Sequence, residues 1–346
     1  MSLPRIAVIG AGHLGSIHAR LLSERADARL VAVVDPIPAA RQTIERQLGI
    51  ATYGSLTELE GRLDAAIVAS PTSTHYEVAG ALLDRGVHVF VEKPLTPRSL
   101  EGRALCQAAR RRNCILQVGH SERFNAAWLA VAPFLTGVHR IRATRQSGFP
   151  SRSLDVGVVL DLMIHEIDLV LSLTTAPLVE LSAHAATVVG PHEDIVSARL
   201  RFDDGMVAEL ESSRVSPRRE RKWDVLTDQG WAEVDFAQTS ASVALAVPEF
   251  CDVAHQVAGW PHARRMEFAD QLFCQWMPQT QLDVGTVNAL AAEHDEFLAA
   301  IRGESAVTVD GNAGCRAVEL AEQILAACGT PVRIGSHRSP PSREAA

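Results

Sequence analysis

The sequence predicts an α/β protein that begins with a doubly wound parallel sheet and continues into an α+β domain with a large, mostly antiparallel sheet. Up to residue 119, short apolar runs alternate with helical segments, which is typical of a parallel sheet covered by helices on both faces. Beyond it, strands of alternating polarity are joined by turns such as Asp203-Asp204-Gly205, the pattern of antiparallel hairpins. We therefore expect domains at 1–119 and 120–335, and a disordered tail at 336–346.

The first domain divides into strands and helices that follow one another in turn. Its strands are mostly continuous apolar runs, because a strand covered on both faces has no side facing water. Pro38 and Pro97 stand at helix starts, and Gly49 is placed to end the second helix. The predicted strands are 6–9, 31–34, 51–53, 63–69, 87–91 and 115–118, and the helices run to Leu22 and over 38–48, 76–84 and 97–112.

The second domain shows hairpin strands and a few helices. Strands are predicted near 139–143, 196–202, 206–211 and 232–236, with helices at 160–173, 287–301 and 312–327. The basic run Arg218–Lys222 is expected on an exposed strand edge, where charges discourage aggregation. The stretch 248–280 shows no clear period.

Composition and charge limit the kinds of partner. The 346 residues carry a net charge of −8 and a pI near 5.9, which argues against a nucleic-acid groove or an anionic membrane surface. The six cysteines form no CxxC pair, so we expect reduced thiols and no metal site. The N-terminus enters the first strand directly and no apolar run approaches the ~20 residues that span a bilayer, which predicts a cytoplasmic protein.

A glycine-rich turn joins the first strand to the first helix. In GAGHLG, Gly10 permits the tight turn, Gly12 lets a pyrophosphate approach the backbone, and Gly15 lets the helix pack close to the strand. Asp35 ends the second strand twenty residues after Gly15, where a carboxylate binds the adenosine ribose and repels a 2′-phosphate. This pattern predicts a dinucleotide site that favours NAD over NADP. The alternative is a βαβ turn without a nucleotide.

Other polar segments follow the strands that share this sheet edge. Pro71–His75 and Glu92–Lys93 both come directly after predicted strands, and ligands of such sheets bind beyond the carboxyl ends of the strands. The Lys93 ammonium, held in a turn by Pro94, is suited to donate to a substrate hydroxyl and to the carbonyl oxygen that it becomes. The alternative is a surface lysine at a strand end.

A polar trio interrupts the apolar helix at 160–173. Asp161 and His165 are four residues apart and Asp168 follows three later, so all three are expected on one helix face. A histidine held by carboxylates is suited to act as a general base. The alternative is a helix cap with a core histidine. His120, Arg123 and Asn125 are candidates to line the cleft, and Arg152 to hold an anionic substrate group.

Four motifs together resemble the Gfo/Idh/MocA oxidoreductases: GAGHLG at 10–15, SPTSTH at 70–75, EKP at 92–94 and DLMIHEID at 161–168. The resemblance implies an N-terminal Rossmann domain, a C-terminal sheet domain that packs into dimers or tetramers, and oxidation or reduction of sugars or cyclitols with NAD(P). It implies Lys93, Asp161 and His165 as the catalytic set, with Asp161 orienting His165 as the base. The expected coenzyme contacts are Gly10, Gly12, His13, Leu14, Gly15, Asp35, Ser70, Pro71, Thr74, His75 and Glu92.

Within the family, DVGVVLDLMIHEIDLV after an arginine-bearing loop is most similar to UDP-N-acetylglucosamine 3-dehydrogenases. The resulting hypothesis is oxidation of the 3-hydroxyl of a UDP-N-acetylhexosamine by NAD, with Lys93, Arg123, Asn125, Arg152, Asp161 and His165 at the substrate. Two alternatives stay open: an inositol or free-sugar dehydrogenase of the same family, and a non-catalytic NAD-sensing regulator on the same fold.

Overall fold

A computed structural model of the chain describes residues 3–59, 61–149 and 156–334, and its two sheets confirm the predicted fold class. The strands are β1 Arg5–Ile9, β2 Arg29–Val34, β3 Thr52–Tyr53, β4 Ala65–Val68, β5 His88–Glu92, β6 Leu116–Gly119, β7 Val138–Gln146, β8 Leu178–Thr187, β9 Ile195–Phe202, β10 Val207–Ser213, β11 Glu220–Thr227, β12 Gly230–Asp235, β13 Ser240–Leu245, β14 Gln279–Gln281 and β15 Val332–Arg333. The α-helices are α1 His13–Ser23, α2 Pro38–Leu48, α3 His75–Asp84, α4 Ser99–Arg112, α5 Ala126–Val131, α6 Ile164–Leu173, α7 Phe250–Ala254, α8 His262–Gln271, α9 Ala289–Ile301 and α10 Gly311–Cys328.

The first sheet is parallel, with the order β3-β2-β1-β4-β5-β6. All four residues of β4 are buried, as expected for a strand covered on both faces. β1 lies between β2 and β4. The chain therefore adds β2 and β3 on one side of β1 and then β4, β5 and β6 on its other side. A crevice forms beyond the carboxyl ends of strands at such a switch point.

Within the described residues, the second sheet has nine strands in the order β14-β13-β12-β11-β7-β10-β9-β8-β15. Its pairs are antiparallel except β7 with β10 and β8 with β15. The predicted hairpins at 203–205 and 228–230 are both formed. One face buries alternate residues such as Val196, Ala198 and Leu200 in a core that includes residues of α6 and α10.

Two parts of this domain differ from expectation. The edge position predicted for Arg218–Lys222 is wrong: β11, which holds the end of this run, is paired with β12 and β7 on its two sides. Its charges are tolerated because they meet acids, Arg221 near Glu122 and Lys222 near Asp235. The unassigned stretch 248–280 contains the largely exposed helices α7 and α8, and part of the edge strand β14.

Helices α9 and α10 return to the first sheet although they come from the end of the chain. Phe297 and Leu298 of α9 share a core with Ile6 and Val8 of β1. Cys315 of α10 lies in the core on the other face. The predicted boundary at 119/120 stays a prediction, and these helices join the two parts of the molecule. Within the described ranges no helix is both long and apolar enough to cross a membrane.

Candidate active site

The glycine turn has the close approaches that its sequence predicts. Gly10 has a φ of +103°, and a Cβ there would lie 2.6 Å from the carbonyl oxygen of Ala69. A Cβ on Gly15 would lie 1.9 Å from the carbonyl oxygen of Gly10, so neither position accepts a side chain. A Cβ on Gly12 would meet no atom within 4 Å. The backbone at Gly12 is therefore open to a ligand.

The start of α1 is built to receive an anion. No side chain caps it at Gly12, and its first turn contains no acidic residue. His13 and Leu14 are exposed beside Gly12. The first N–H groups and the positive end of the helix dipole are thus directed at the crevice, which fits a pyrophosphate. On these observations the residues present fit a dinucleotide.

Asp35 lies across the glycine turn at the end of β2. Its Oδ2 accepts the N–H of Ala11 at 2.7 Å and its Oδ1 accepts the N–H of Ile37 at 2.8 Å. These bonds fix the carboxylate, and each oxygen keeps a second lone pair for a ribose hydroxyl. Arg41 donates from Nη1 to the carbonyl oxygen of Asp35, 2.7 Å away.

The loop after β4 is tied to the turn after β5. His75 is buried, with its Nδ1 2.9 Å from the carbonyl oxygen of Pro94 and its Nε2 2.9 Å from that of Ser70. Burial lowers the pKa of His75. The hydroxyls of Ser70 and Thr74 lie 2.7 Å apart, and Thr74 donates to the carbonyl oxygen of Pro71. A coenzyme contact by His75 stays a prediction; its described contacts position the two loops.

Lys93 reaches from the end of β5 to the second domain. Its Nζ donates to the carbonyl oxygen of Asp161 at 2.7 Å and lies 3.3 Å from Asp161 Oδ1. The lysine side chain is 15% exposed, so it is not the freely solvated surface lysine of the alternative. Two members of the predicted catalytic set are therefore in contact.

His165 does not make the predicted contact with Asp161. Residues Val159–Met163 form a wide π turn before α6 begins, and the extra residue in that turn breaks the four-residue spacing on which the prediction relied. His165 Nδ1 is enclosed without a hydrogen-bond partner among the described residues. Burial, then the charges of Arg145 and Lys93, lower the pKa of His165 well below its usual value. The imidazole is consequently neutral, the form that accepts a proton.

Asp168 is paired with Arg123 and lies beside His120. It holds Arg123 through two bonds, Nε to Oδ2 at 2.6 Å and Nη2 to Oδ1 at 3.1 Å. The prediction that Asp168 shares a helix face with Asp161 and His165 stays a prediction. His120 lies nearby, its ring centroid 6.4 Å from that of His165, and burial lowers its pKa. Neither His120 nitrogen has a hydrogen-bond partner in the described part of the chain, and its Nδ1 lies 3.9 Å from Asp168 Oδ2.

The other predicted substrate residues are engaged within the protein or lie outside the described residues. Asn125 caps α5 by accepting the N–H of Ala127 and donates to Glu122. Arg123 is paired with Asp168, as above. Arg152 lies outside the described residues. Among the residues that are described, no three His, Cys, Asp or Glu side chains are arranged to hold a metal ion.

Two buried networks near the site were missed from the sequence. In the first, which we call the paired cluster, Arg145 bonds Glu166 and Glu122, and Trp223 also bonds Glu166. Arg145 continues the inward-facing positions of β7 after Ile141 and Ala143. A charged residue at an inward-facing position was the sequence signal that could have indicated this buried network. In the second, the acid–histidine cluster, Glu92 contacts His18, which contacts His294 of α9; it also includes Glu293. No sequence spacing links these distant positions.

Comparisons with known proteins found relatives that match both domains. A family model described as an oxidoreductase family with an NAD-binding Rossmann fold matches residues 4–120, and the GFO/IDH/MocA C-terminal domain matches residues 134–233. The chain is 33% identical over 326 residues to UDP-N-acetylglucosamine 3-dehydrogenase of Acidithiobacillus ferrooxidans, covering 93% of this chain and 96% of that protein. A solved structure of that enzyme superimposes with a TM-score of 0.81 at 31% identity, covering 94% of this chain and 98% of the other.

Inositol dehydrogenases are also similar. The scyllo-inositol 2-dehydrogenase (NAD(+)) of Bacillus subtilis is 30% identical over 233 residues, covering 62% of this chain and 68% of that protein. The inositol 2-dehydrogenase of Rhizobium meliloti is 26% identical over 337 residues, covering 92% and 94%. With a glycine turn open to a dinucleotide and both domains matched, the chain belongs to the Gfo/Idh/MocA oxidoreductase family and is a dehydrogenase with an NAD-binding Rossmann domain.

Proposed function

We propose that this protein oxidises a ring hydroxyl of a nucleotide-linked sugar, the 3-hydroxyl of a UDP-N-acetylhexosamine, with NAD as hydride acceptor. The observation that carries the proposal is the meeting of Lys93 with Asp161 at the crevice, one helical turn from the neutral imidazole of His165. Similarity over nearly the whole chain to a UDP-N-acetylglucosamine 3-dehydrogenase supports the substrate class.

The roles of the side chains follow from their contacts. When bound, the nicotinamide accepts the hydride. Lys93 donates a hydrogen bond to the reacting oxygen, and His165, kept neutral by burial, takes its proton. Asp161 contacts Lys93 rather than His165, so we assign it to hold the lysine ammonium. The sequence contains only two lysines, Lys93 and Lys222, and arginine supplies the rest of its Lys and Arg residues. A compact ammonium with three donors suits this role better than a planar guanidinium.

Asp35 supports NAD as the coenzyme. Its carboxylate, fixed by two backbone N–H groups, stands where a ribose 2′-substituent would approach, and it would repel a 2′-phosphate. The same enzyme should therefore reduce NADP much more slowly than NAD.

A homodimer or homotetramer through the second sheet is part of the proposal. The outward face of this sheet carries charges of both signs, among them Arg199 and Arg201 beside Glu180. Interleaved charges of this kind can pair with the same face of a second copy. Light scattering should give a mass of two or four times that of the 37.3 kDa chain.

A cyclitol is the second candidate substrate. Arg123, which would be a natural diphosphate contact, is already neutralised by Asp168 through two bonds. A substrate without phosphate needs no such contact, and two inositol dehydrogenases are among the relatives. The relatives named above are dehydrogenases, which argues against the non-catalytic regulator.

The deciding experiment follows NADH absorbance while UDP-N-acetylglucosamine, UDP-glucose and myo-inositol are each added to enzyme with NAD, and then with NADP. Reduction of NAD by UDP-N-acetylglucosamine supports the proposal. Reduction of NAD by myo-inositol alone would show that the substrate is a cyclitol and would leave the proposed mechanism unchanged. No reduction with any of the three, although NAD binds, would contradict the substrate assignment.

The role of Lys93 is tested by Lys93→Met. Removing the ammonium should lower turnover about 10³-fold while the Kd for NAD stays unchanged, since the lysine acts on the substrate oxygen. Lys222→Met is the matched control, because the only other lysine forms a half-exposed pair with Asp235 on β11. Full turnover in Lys93→Met would rule out the assignment.

A further inference from the structure

Three side chains from distant parts of the chain form a buried line that ends at the crevice. Glu92 is the last residue of β5, directly before Lys93. Its Oε1 lies 2.7 Å from Nε2 of His18 on α1, and Nδ1 of His18 lies 2.8 Å from Nε2 of His294 on α9. Both histidines are 1% exposed or less, and Glu92 is 6% exposed.

The protons in this line have one consistent arrangement when both rings are neutral. His18 donates from Nε2 to the Glu92 carboxylate, which leaves its Nδ1 as an acceptor, so His294 donates from Nε2. Burial, followed by the neighbouring His18 and Arg25, lowers the pKa of His294 to about 3, in keeping with a neutral ring. The donors thus all point toward Glu92.

The acid beside the line is neutral. Glu293, the residue before His294, is fully buried, and neither of its carboxyl oxygens has a partner among the described side chains. Burial, and next the charge of Glu92, raise the pKa of Glu293 well above its usual value. Oε2 of Glu92 makes no hydrogen bond within the described residues and is not enclosed.

We propose that His18 and His294 are positioning residues that act through Glu92: they hold its carboxylate at the end of β5 so that the crevice favours oxidised nicotinamide over reduced nicotinamide. The oxidised ring carries a positive charge and the reduced ring is neutral, so a fixed carboxylate close to the ring stabilises only the oxidised form. This inference rests on the proposed function and on the coenzyme contact expected of Glu92.

The effect is large enough to measure. Near a protein surface, a single negative charge a few ångströms from a cation attracts it strongly enough to change its Kd about tenfold or more. The quantity to follow is the ratio of the Kd for NADH to the Kd for NAD, measured by calorimetry without substrate. Activity plays no part in this readout.

Four variants separate positioning from folding. Glu92→Gln removes the charge and should lower the ratio about tenfold. His294→Leu removes the donor to His18 and should lower it by several-fold, whereas His294→Gln supplies an N–H at a similar reach and should restore it. Phe297→Leu, on the same buried side of α9, is the matched control for packing. It should lower the Tm and leave the ratio unchanged.

Each outcome decides a part of the inference. An unchanged ratio in Glu92→Gln would overturn the placement of its carboxylate beside the nicotinamide. A shift in Glu92→Gln without a shift in His294→Leu would overturn the role of the histidines. An equal shift of the ratio in Phe297→Leu would show that the histidines act only through packing. If the unaltered protein bound neither coenzyme, the proposed function itself would fail; intact turnover with an unchanged ratio would overturn only this inference.

Discussion

The paired cluster and the acid–histidine cluster, both buried, are built in opposite ways. In the paired cluster of the second domain, Arg145 is held by Glu166 and Glu122, and Trp223 also donates to Glu166. Burial disfavours the charge of Arg145, but the two acids outweigh burial and raise the pKa of its guanidinium. In the acid–histidine cluster at the first sheet, Glu293 and one nitrogen of His294 have no partner among the described residues.

The difference separates structural charges from adjustable ones. A buried charge whose partners are all present is costly to disturb and cannot readily change its protonation. A buried acid or imidazole whose hydrogen bonds are incomplete shifts its pKa instead, as Glu293 and His294 do. The first arrangement holds the sheet and α6 together behind His165. The second lies where a ligand of changing charge is expected to bind.

The largest effect should come from breaking the paired cluster with Arg145→Met. The two acids would be left buried without their cation, which costs about 3–5 kcal/mol of unfolding free energy. Urea unfolding measures this loss. Because Arg145 also lowers the pKa of His165, the variant should show a pH–rate profile moved to higher pH.

Arg142→Met is the matched control on the same strand. Arg142 faces outward and is 58% exposed, at 3.7 Å from Glu209, a pair worth less than about 1 kcal/mol. If the two variants lost equal stability, the distinction between paired and adjustable clusters would not hold.

A smaller effect of opposite sign is expected from Glu293→Gln. Since the pKa of Glu293 is raised in the folded protein, the folded state keeps a proton that the unfolded chain loses above about pH 4.5, and stability falls as the pH rises through that window. The amide removes this penalty, so the variant should be more stable than the unaltered protein at pH 8 and gain almost nothing at pH 4. Thermal unfolding at the two pH values measures the difference. A gain that was the same at both would contradict the assignment.

The smallest effect should be seen with His294→Gln in acid. The pKa of His294 is about 3 in the folded protein, against an ordinary value of 6.5, so the unfolded chain binds the proton first. Stability is therefore lost as the pH falls from 6.5 toward 3. Without the imidazole, the loss between pH 7 and pH 5 should be about 1–2 kcal/mol smaller. Guanidinium titrations at the two pH values test this. An unchanged pH dependence would show that His294 is not the group that titrates.

Local patterns were sufficient for much of this molecule. The limits of α2 and its glycine cap at Gly49 agree with the sequence prediction, because proline at the start and glycine at the end determine them locally. The glycine turn and Asp35 were found for the same reason. The partner of Asp161 was not, because a π turn changes which side chains share a helix face, and no local pattern marked it. The contact from His18 to His294 joins positions 276 apart, which only the folded chain brings together.

The packing of α9 against the first sheet has a consequence for folding during translation. The first sheet is translated by residue 119, but Phe297 and Leu298, which complete its core beside β1, follow nearly 180 residues later. At about 5–20 residues per second, the nascent sheet carries an uncovered apolar surface for roughly 10–35 s. Chaperones that bind exposed apolar chain have that interval in which to act, and a ribosome stalled before α9 would display a coenzyme domain that cannot finish folding.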